Sequence, residues 1–143
     1  RMRPDRIIVG EVRGDETVDM ISSAMLNGHS GSMSTGHANN PTDMLHRLET
    51  MMLMGIDLPL AAVQRQIASG IDIIVHLGRL RDKSRKVLQI TEIEKYESGK
   101  IHTRTLYEFR EEGMEHGKIK GRLMKVAELS NQEKLMAAGY KEA

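Results

Sequence analysis

The feature that most constrains this chain is Arg6-Ile7-Ile8-Val9-Gly10-Glu11, close to its start. Three consecutive β-branched residues offer no polar face to water. Such a run reads as a strand buried on both faces, as in a parallel sheet covered by helices. Pro4-Asp5 supplies the entry turn, and Glu11-Val12-Arg13 falls at the strand's carboxyl end. That is the edge at which open α/β sheets bind ligands.

The pattern then alternates. Val18, Ile21 and Met25 recur at helical spacing within Glu16 to Leu26, with acids in the first turns and Asn27-Gly28 as a stop. A short strand of small residues is expected from Ser32 to Thr35. Asn40-Pro41 then reads as a cap and first helical position. Met44, Leu45, Leu48, Met51 and Met52 form one apolar stripe closed by Gly55, and Pro59 opens a shorter helix through Ile67. After Gly70 the reading becomes β: Ile71 to Leu77, Lys86 to Lys95 and Ile101 to Phe109 are strands, the last two joined by the turn-like Glu97-Ser98-Gly99-Lys100. Arg110 to Lys125, with Gly113, Gly117 and Gly121, is expected to be an extended charged arm, followed by a short helix from Gln132 to Ala138. A β-α-β-α layout thus gives way to a β-meander.

Composition narrows the function classes. The 143 residues carry 21 Lys+Arg against 20 Asp+Glu. That balance excludes a polycation held on nucleic acid by counterion release. One Phe, three Tyr and no Trp leave few rings on which bases could stack. There is no cysteine, hence no disulfide, thiolate nucleophile or Cys-based zinc site. No apolar run reaches the roughly 20 residues of a membrane span. Direct membrane insertion is therefore not expected, and the absence of cysteine is compatible with a cytoplasmic address.

Two segments can carry chemistry. A rigid apolar strand that delivers Glu11 at its end suits a Walker-B arrangement, in which the carboxylate orients the attacking water or reaches Mg²⁺ through bound water. The bland alternative is a solvated strand end. The second segment, Gly28-His29-Ser30-Gly31-Ser32-Met33-Ser34-Thr35-Gly36-His37-Ala38-Asn39, sets two histidines around small hydroxyl residues. Histidine and hydroxyl donors suit a terminal phosphate; a polar Gly/Ser connection is the alternative. His29, His37 and His46 lack the spacing of a metal site. No Gly-x-x-x-x-Gly-Lys-Ser/Thr occurs, so these residues contain no phosphate cradle of that kind. Arg47 lies off the apolar stripe, at a position open to a neighbour's nucleotide or to solvent.

Taken together, Arg1 through Arg13 resembles the Walker-B region of the type II/type IV secretion ATPases, and Gly28 through Asn39 resembles that family's histidine box. Arg47-Leu48-Glu49-Thr50-Met51 and Gln66 to His76 are similar as well, as is the tail from Phe109 to Gly121. They point to the CpaF-like branch, which drives tight-adherence (Flp-type) pilus assembly. One departure is Gly36, where the family usually has an aliphatic residue, which should loosen the strand end beside His37. The resemblance implies the C-terminal part of a RecA-like α/β domain over residues 1–109, with residues 110–143 as arm and terminal helix. It implies a hexameric ATPase that uses ATP and Mg²⁺ and works with secretion or pilus platform proteins, peripheral to the inner membrane. By position Glu11 and His37 would be catalytic, and Arg13, His29, Ser34, Thr35 and Arg47 nucleotide-binding. The P-loop would lie upstream of Arg1, which itself reads as a truncation mark. The competing class is a non-enzymatic α/β interaction module that binds no nucleotide.

Overall fold

The computed structural model describes residues 2–26 and 28–141. Arg1 and Asn27, read above as a truncation mark and part of a helix stop, lie outside them. Strand β1 (Ile8–Val9) pairs in parallel with β2 (Met33–Ser34), Ile8 opposite Met33 and Val9 opposite Ser34. The pairing extends beyond these residues, because Met33 N–H donates to Ile7 O at 3.1 Å and Val12 N–H donates to Thr35 O at 2.9 Å. The expected two-sided burial is not found. Ile7 and Val9 pack against the core, whereas Ile8 is 69% exposed. Side chains alternate across a strand, and here only one face of β1 is covered.

The first helix departs from the sequence reading. Only Glu16–Val18 is α-helical (α1), and Asp19–Met25 continues as a π-helical segment. Leu26 N–H accordingly donates to Ile21 O, five residues back, at 3.1 Å. Thr17, Met20 and Ile21 are buried on the inner face of this helix. Helix α2 (Pro41–Gly55) follows expectation: the Asn40 side chain accepts from Asp43 N–H at 2.8 Å, Pro41 sits in the first turn, and Leu45, Leu48, Met51 and Met52 are buried. Gly55 is required by a close approach, since a Cβ there would lie 2.9 Å from Val18 Cγ2 and 3.1 Å from Asp15 O. Helix α3 (Leu60–Gly70) buries Val63 and Ile67. These helices and Val12 share one core with Ile93 and Ile101 of the following sheet. Burying each such aliphatic side chain is worth roughly 1.5–3 kcal/mol.

The sheet is an antiparallel meander in sequential order, β3 (Ile73–Arg79), β4 (Arg85–Glu97), β5 (Lys100–Glu115) and β6 (Lys118–Lys125). Residues 110–125 are therefore not an extended arm, and β5 runs through position 109 without a break. The reason is turn chemistry. Ser98-Gly99 and His116-Gly117 both take positive φ at both positions, as a two-residue hairpin with matching twist demands. Gly121 admits Phe109 across β6, where a Cβ would meet the ring at 2.6 Å. Charged residues on the outer hairpin pair across it, as Glu112–Arg122 does at 2.7 Å.

Two carboxylates fasten the sheet. Glu92, 2% exposed, accepts from Ser130 N–H at 2.9 Å and Asn131 N–H at 2.8 Å, and so anchors the segment leading into α4 (Glu133–Ala137). Asp82, in the β3–β4 turn, accepts from Ser84 Oγ–H at 2.6 Å and from Ile119 N–H at 2.7 Å, which ties that turn to β6. The Ser84 hydroxyl and the Ile119 and Ser84 amides lower the Asp82 pKa from 3.8 to about 2. A lowered carboxylate pKa stabilises the fold above the ordinary aspartate range, and that contribution disappears as pH falls through the folded value. Asp82→Ala is expected to lower the thermal unfolding midpoint near neutral pH and to converge with the wild type near pH 2, followed by circular dichroism. A gap that stays equally wide at the acid end would show that the Asp82 charge is not the cause.

Candidate active site

The carboxyl end of β1 and the residues after β2 leave the sheet side by side. Thr35 Oγ1–H donates to Gly10 O at 2.5 Å, a bond between residues 25 apart in sequence. This stitch sets His37 beside Glu11, with Nε2 2.9 Å from Oε1. On the other side Arg13 Nη2 and Nε reach Glu11 Oε2 at 2.6 and 2.8 Å. Both carboxylate oxygens thus have cationic or ring N–H partners. Glu11 retains 23% exposure, while Arg13 and His37 are 77% and 81% exposed.

The backbone of Arg13 is itself held. Its N–H donates to Glu16 Oε1 at 2.6 Å, and Gly14 N–H donates to the same oxygen at 3.1 Å. Glu16 was absent from the candidates read from sequence. Its signal was an acid at the start of a helix just after a strand end, where it can accept from free amides. The Arg13 amide, foremost, holds the Glu16 carboxyl below the usual range. The Arg13 side-chain hydrogen bond is likewise the main cause of the lowered pKa of Glu11, with further attraction from the charges of Arg13, His37 and Arg47. A carboxylate so held stays ionised and accepts hydrogen bonds strongly, but is a weak proton acceptor. It suits orienting a water more than abstracting its proton outright.

The remaining candidates divide. Arg47, on α2, joins His37, Ala38, Asn39 and Asp43 around an open depression of about 340 Å³ beside the Glu11 cluster. Asp43 and Arg47 are one helical turn apart and so share a face. Thr35 spends its hydroxyl proton on Gly10 O, and Ser34 Oγ lies 3.4 Å from Thr35 O, so both are engaged with backbone. His29 is not brought to the cluster. Its Nδ1 lies 2.8 Å from Pro4 O, at the opposite end of the parallel strand pair. Gly36 does not leave the strand end loose, because a Cβ there would meet Met44 Cε at 2.6 Å; the thioether fills the place. Among the described residues no three His, Cys, Asp or Glu side chains converge to hold a metal ion.

A model of the type II/IV secretion system protein family matches residues 1–143. The chain belongs to that family. It is similar to a putative conjugal transfer protein of Mycobacterium tuberculosis, 39% identical over 107 residues, covering 75% of this chain and 30% of that protein. It is also similar to the type IV secretion system protein VirB11 of Brucella abortus, 38% identical over 80 residues, covering 54% of this chain and 22% of that one. The crystal structure of the VirB11 ATPase from the Brucella suis type IV secretion system in complex with sulphate superposes with a TM-score of 0.59 at 33% identity, covering 63% of this chain and 28% of that chain. The matched region thus spans about a third or less of the length of these relatives. The mixed fold, a parallel strand pair with an antiparallel sheet, matches the VirB11 ATPase fold. None of these matches singles out the CpaF-like branch within the family.

The electrostatics give a direct expectation. In a carbon-13 titration Glu11 Cδ should show a midpoint below the ordinary glutamate range, and Arg13→Ala should raise it. The stabilisation from the pair is present above that range, is lost as pH falls through the lowered midpoint, and weakens with salt. A midpoint indifferent to Arg13→Ala would dissolve the pairing.

Proposed function

We propose that the protein of which these residues are part is a secretion ATPase, hydrolysing ATP to power protein secretion, conjugal transfer or pilus assembly. The observation that carries this reading is the 2.9 Å contact between Glu11 and His37. It joins a strand-end carboxylate to a histidine brought in by the neighbouring parallel strand, in a chain of the family that contains the VirB11 ATPase. Glu11 orients the attacking water, His37 hydrogen-bonds the terminal phosphate, and Arg13 holds the edge on which Glu11 sits. Arg47 and the depression beside it face nucleotide at a subunit boundary. Ser34 and Thr35 shape the strand end beneath it, and His29 lies at its far end as an outlying candidate.

Phosphoryl transfer needs little covalent chemistry from protein; positioning and charge stabilisation do the work. These residues supply the water-orienting and phosphate-sensing side. The phosphate cradle comes from sequence outside them, consistent with relatives of which they match only about a third. ATP with Mg²⁺ on its phosphates is the substrate form, and Glu11 addresses the metal through water. The working assembly is a hexamer docked on inner-membrane platform proteins from the cytoplasmic side. Among the described residues no helix is long and apolar enough to cross a membrane. Residues 1–109 belong to the C-terminal portion of the ATPase domain, whose sheet continues through β5 and β6 to residue 125 and on to the terminal helix. The CpaF-like branch is the assignment within the family, on Arg47 to Met51 and Gln66 to His76, with the tail from Phe109 to Gly121 in keeping.

In the intact protein, Glu11→Gln should reduce ATP turnover by roughly 10²-fold, as misplacement of a positioned reactant does, while nucleotide affinity stays near that of the wild type. Phosphate release and equilibrium binding measure the two separately. Turnover at the wild-type rate would overturn the role of Glu11.

A further inference from the structure

The chain leaves β1 through a turn that is held on both its amide and its carbonyl side. Residues two apart share one face of a strand only while the backbone stays extended. Arg13 therefore meets Glu11 only if the extended course reaches position 13. The parallel pair carries it as far as Val12, whose N–H donates to Thr35 O at 2.9 Å. At the next two residues the acceptor is a side chain: Glu16 Oε1 takes Arg13 N–H at 2.6 Å and Gly14 N–H at 3.1 Å. The carbonyl side is fixed by the buried Thr17, whose Oγ1–H and N–H donate to Gly14 O at 2.7 and 3.2 Å. From a backbone held in this way, Arg13 Nε reaches Glu11 Oε2 at 2.8 Å.

We propose that Glu16 is a positioning residue for Glu11: by gathering the Arg13 and Gly14 amides it ends the strand at Arg13, keeps the guanidinium on Glu11 and so sets the direction of the carboxylate. For its effect on turnover this rests on the ATPase reading above, to which it adds the residue that aims the water-orienting group. Glu16 does not line the depression beside His37, and its route to Glu11 runs through Arg13. Charge alone makes the opposite prediction. Glu11 and Glu16 are both anions that attract Arg13. Removing one of two like charges favours ionisation of the other and lowers its midpoint. Releasing Arg13 raises that midpoint, because the Arg13 hydrogen bond is the main cause of the lowered Glu11 pKa. The sign of the change therefore separates positioning from charge.

The test is the carbon-13 titration of Glu11 Cδ in the intact, nucleotide-free protein, carried out on the wild type, Glu16→Ala, Glu16→Gln, Arg13→Ala and the double variant Glu16→Ala/Arg13→Ala. Glu16→Ala should raise the Glu11 midpoint. Glu16→Gln loses the charge but keeps a carbonyl acceptor for the two amides, and should leave the midpoint at or below the wild-type value. In the Arg13→Ala background, Glu16→Ala should raise it no further. Should Glu16→Ala fail to fold, Glu16→Asp keeps the charge, withdraws the acceptor by one methylene and carries the same expectation. A Glu16→Ala midpoint at or below the wild type would overturn the proposal. So would a rise that persists without Arg13, or a Glu16→Gln midpoint as high as that of Glu16→Ala. In turnover, Glu16→Ala should lower kcat roughly tenfold, as a small misplacement of a positioning group does, with KM little changed, and Glu16→Gln should recover most of the loss. A raised midpoint with kcat unchanged would overturn the part of Glu16 in turnover. A wild type that hydrolyses no ATP would overturn the ATPase reading instead, while the titration would still decide whether Glu16 positions Glu11.

Discussion

The parallel pairing of β1 with β2 is the contact on which the site depends. Each strand is only two residues long, and parallel pairing needs a long crossover. Side chains make up the difference. Ile7 N–H donates to Ser32 Oγ at 3.1 Å, Ser32 Oγ–H donates to His29 O at 2.6 Å, and Thr35 Oγ1–H donates to Gly10 O. The hydroxyls that look like phosphate donors in the sequence thus act here as extra rungs. They lengthen the register to the point where Glu11 and His37 leave the sheet together. They add to the backbone bonds from Met33 N–H to Ile7 O and from Val12 N–H to Thr35 O.

Beneath the pair, the core is built almost without aromatic rings. Methionine replaces them: Met20, Met51 and Met52 are buried, and Thr17 Oγ1 lies 3.7 Å from Met51 Sδ. Unbranched, polarizable side chains fill irregular gaps, such as those where a π-helical segment meets two α-helices. The segment Asp19–Met25 continues α1, whose first residue, Glu16, holds the Arg13 amide. The irregular helix and the strand end are therefore mechanically continuous.

Much of this was legible in the sequence, and the gaps have physical causes. The stripe of α2, its Asn40-Pro41 start and the Ser98-Gly99 hairpin follow from local rules, and the structure shows them. His37 beside Glu11 needed the strand pairing, which no local pattern encodes. The outer hairpin was missed because three glycines in a charged stretch suggest flexibility. His116-Gly117 in fact carries the same turn signature as Ser98-Gly99, and Gly121 serves Phe109 rather than mobility. The π-helical turn was invisible to a 3.6-residue period. Glu92 was invisible for another reason: an isolated acid in a strand reads as surface, and only the fold delivers Ser130 and Asn131 to it.

Gly36 shows how the site is coupled to the core behind it. The volume that an aliphatic side chain would occupy at this strand end is supplied by Met44 from α2, whose Cε lies 2.6 Å from the place a Cβ would take. Hydrophobic volume here comes from the helix and not from the strand. A branched residue at position 36 would be stiff at χ1 and fixed to the same strand segment as His37. Methionine has three rotatable bonds and belongs to another element. The backing of His37 is thus supplied by α2. The same helix presents Asp43 and Arg47 to the depression beside the imidazole. One helix therefore sets both the packing under His37 and the charge in front of it.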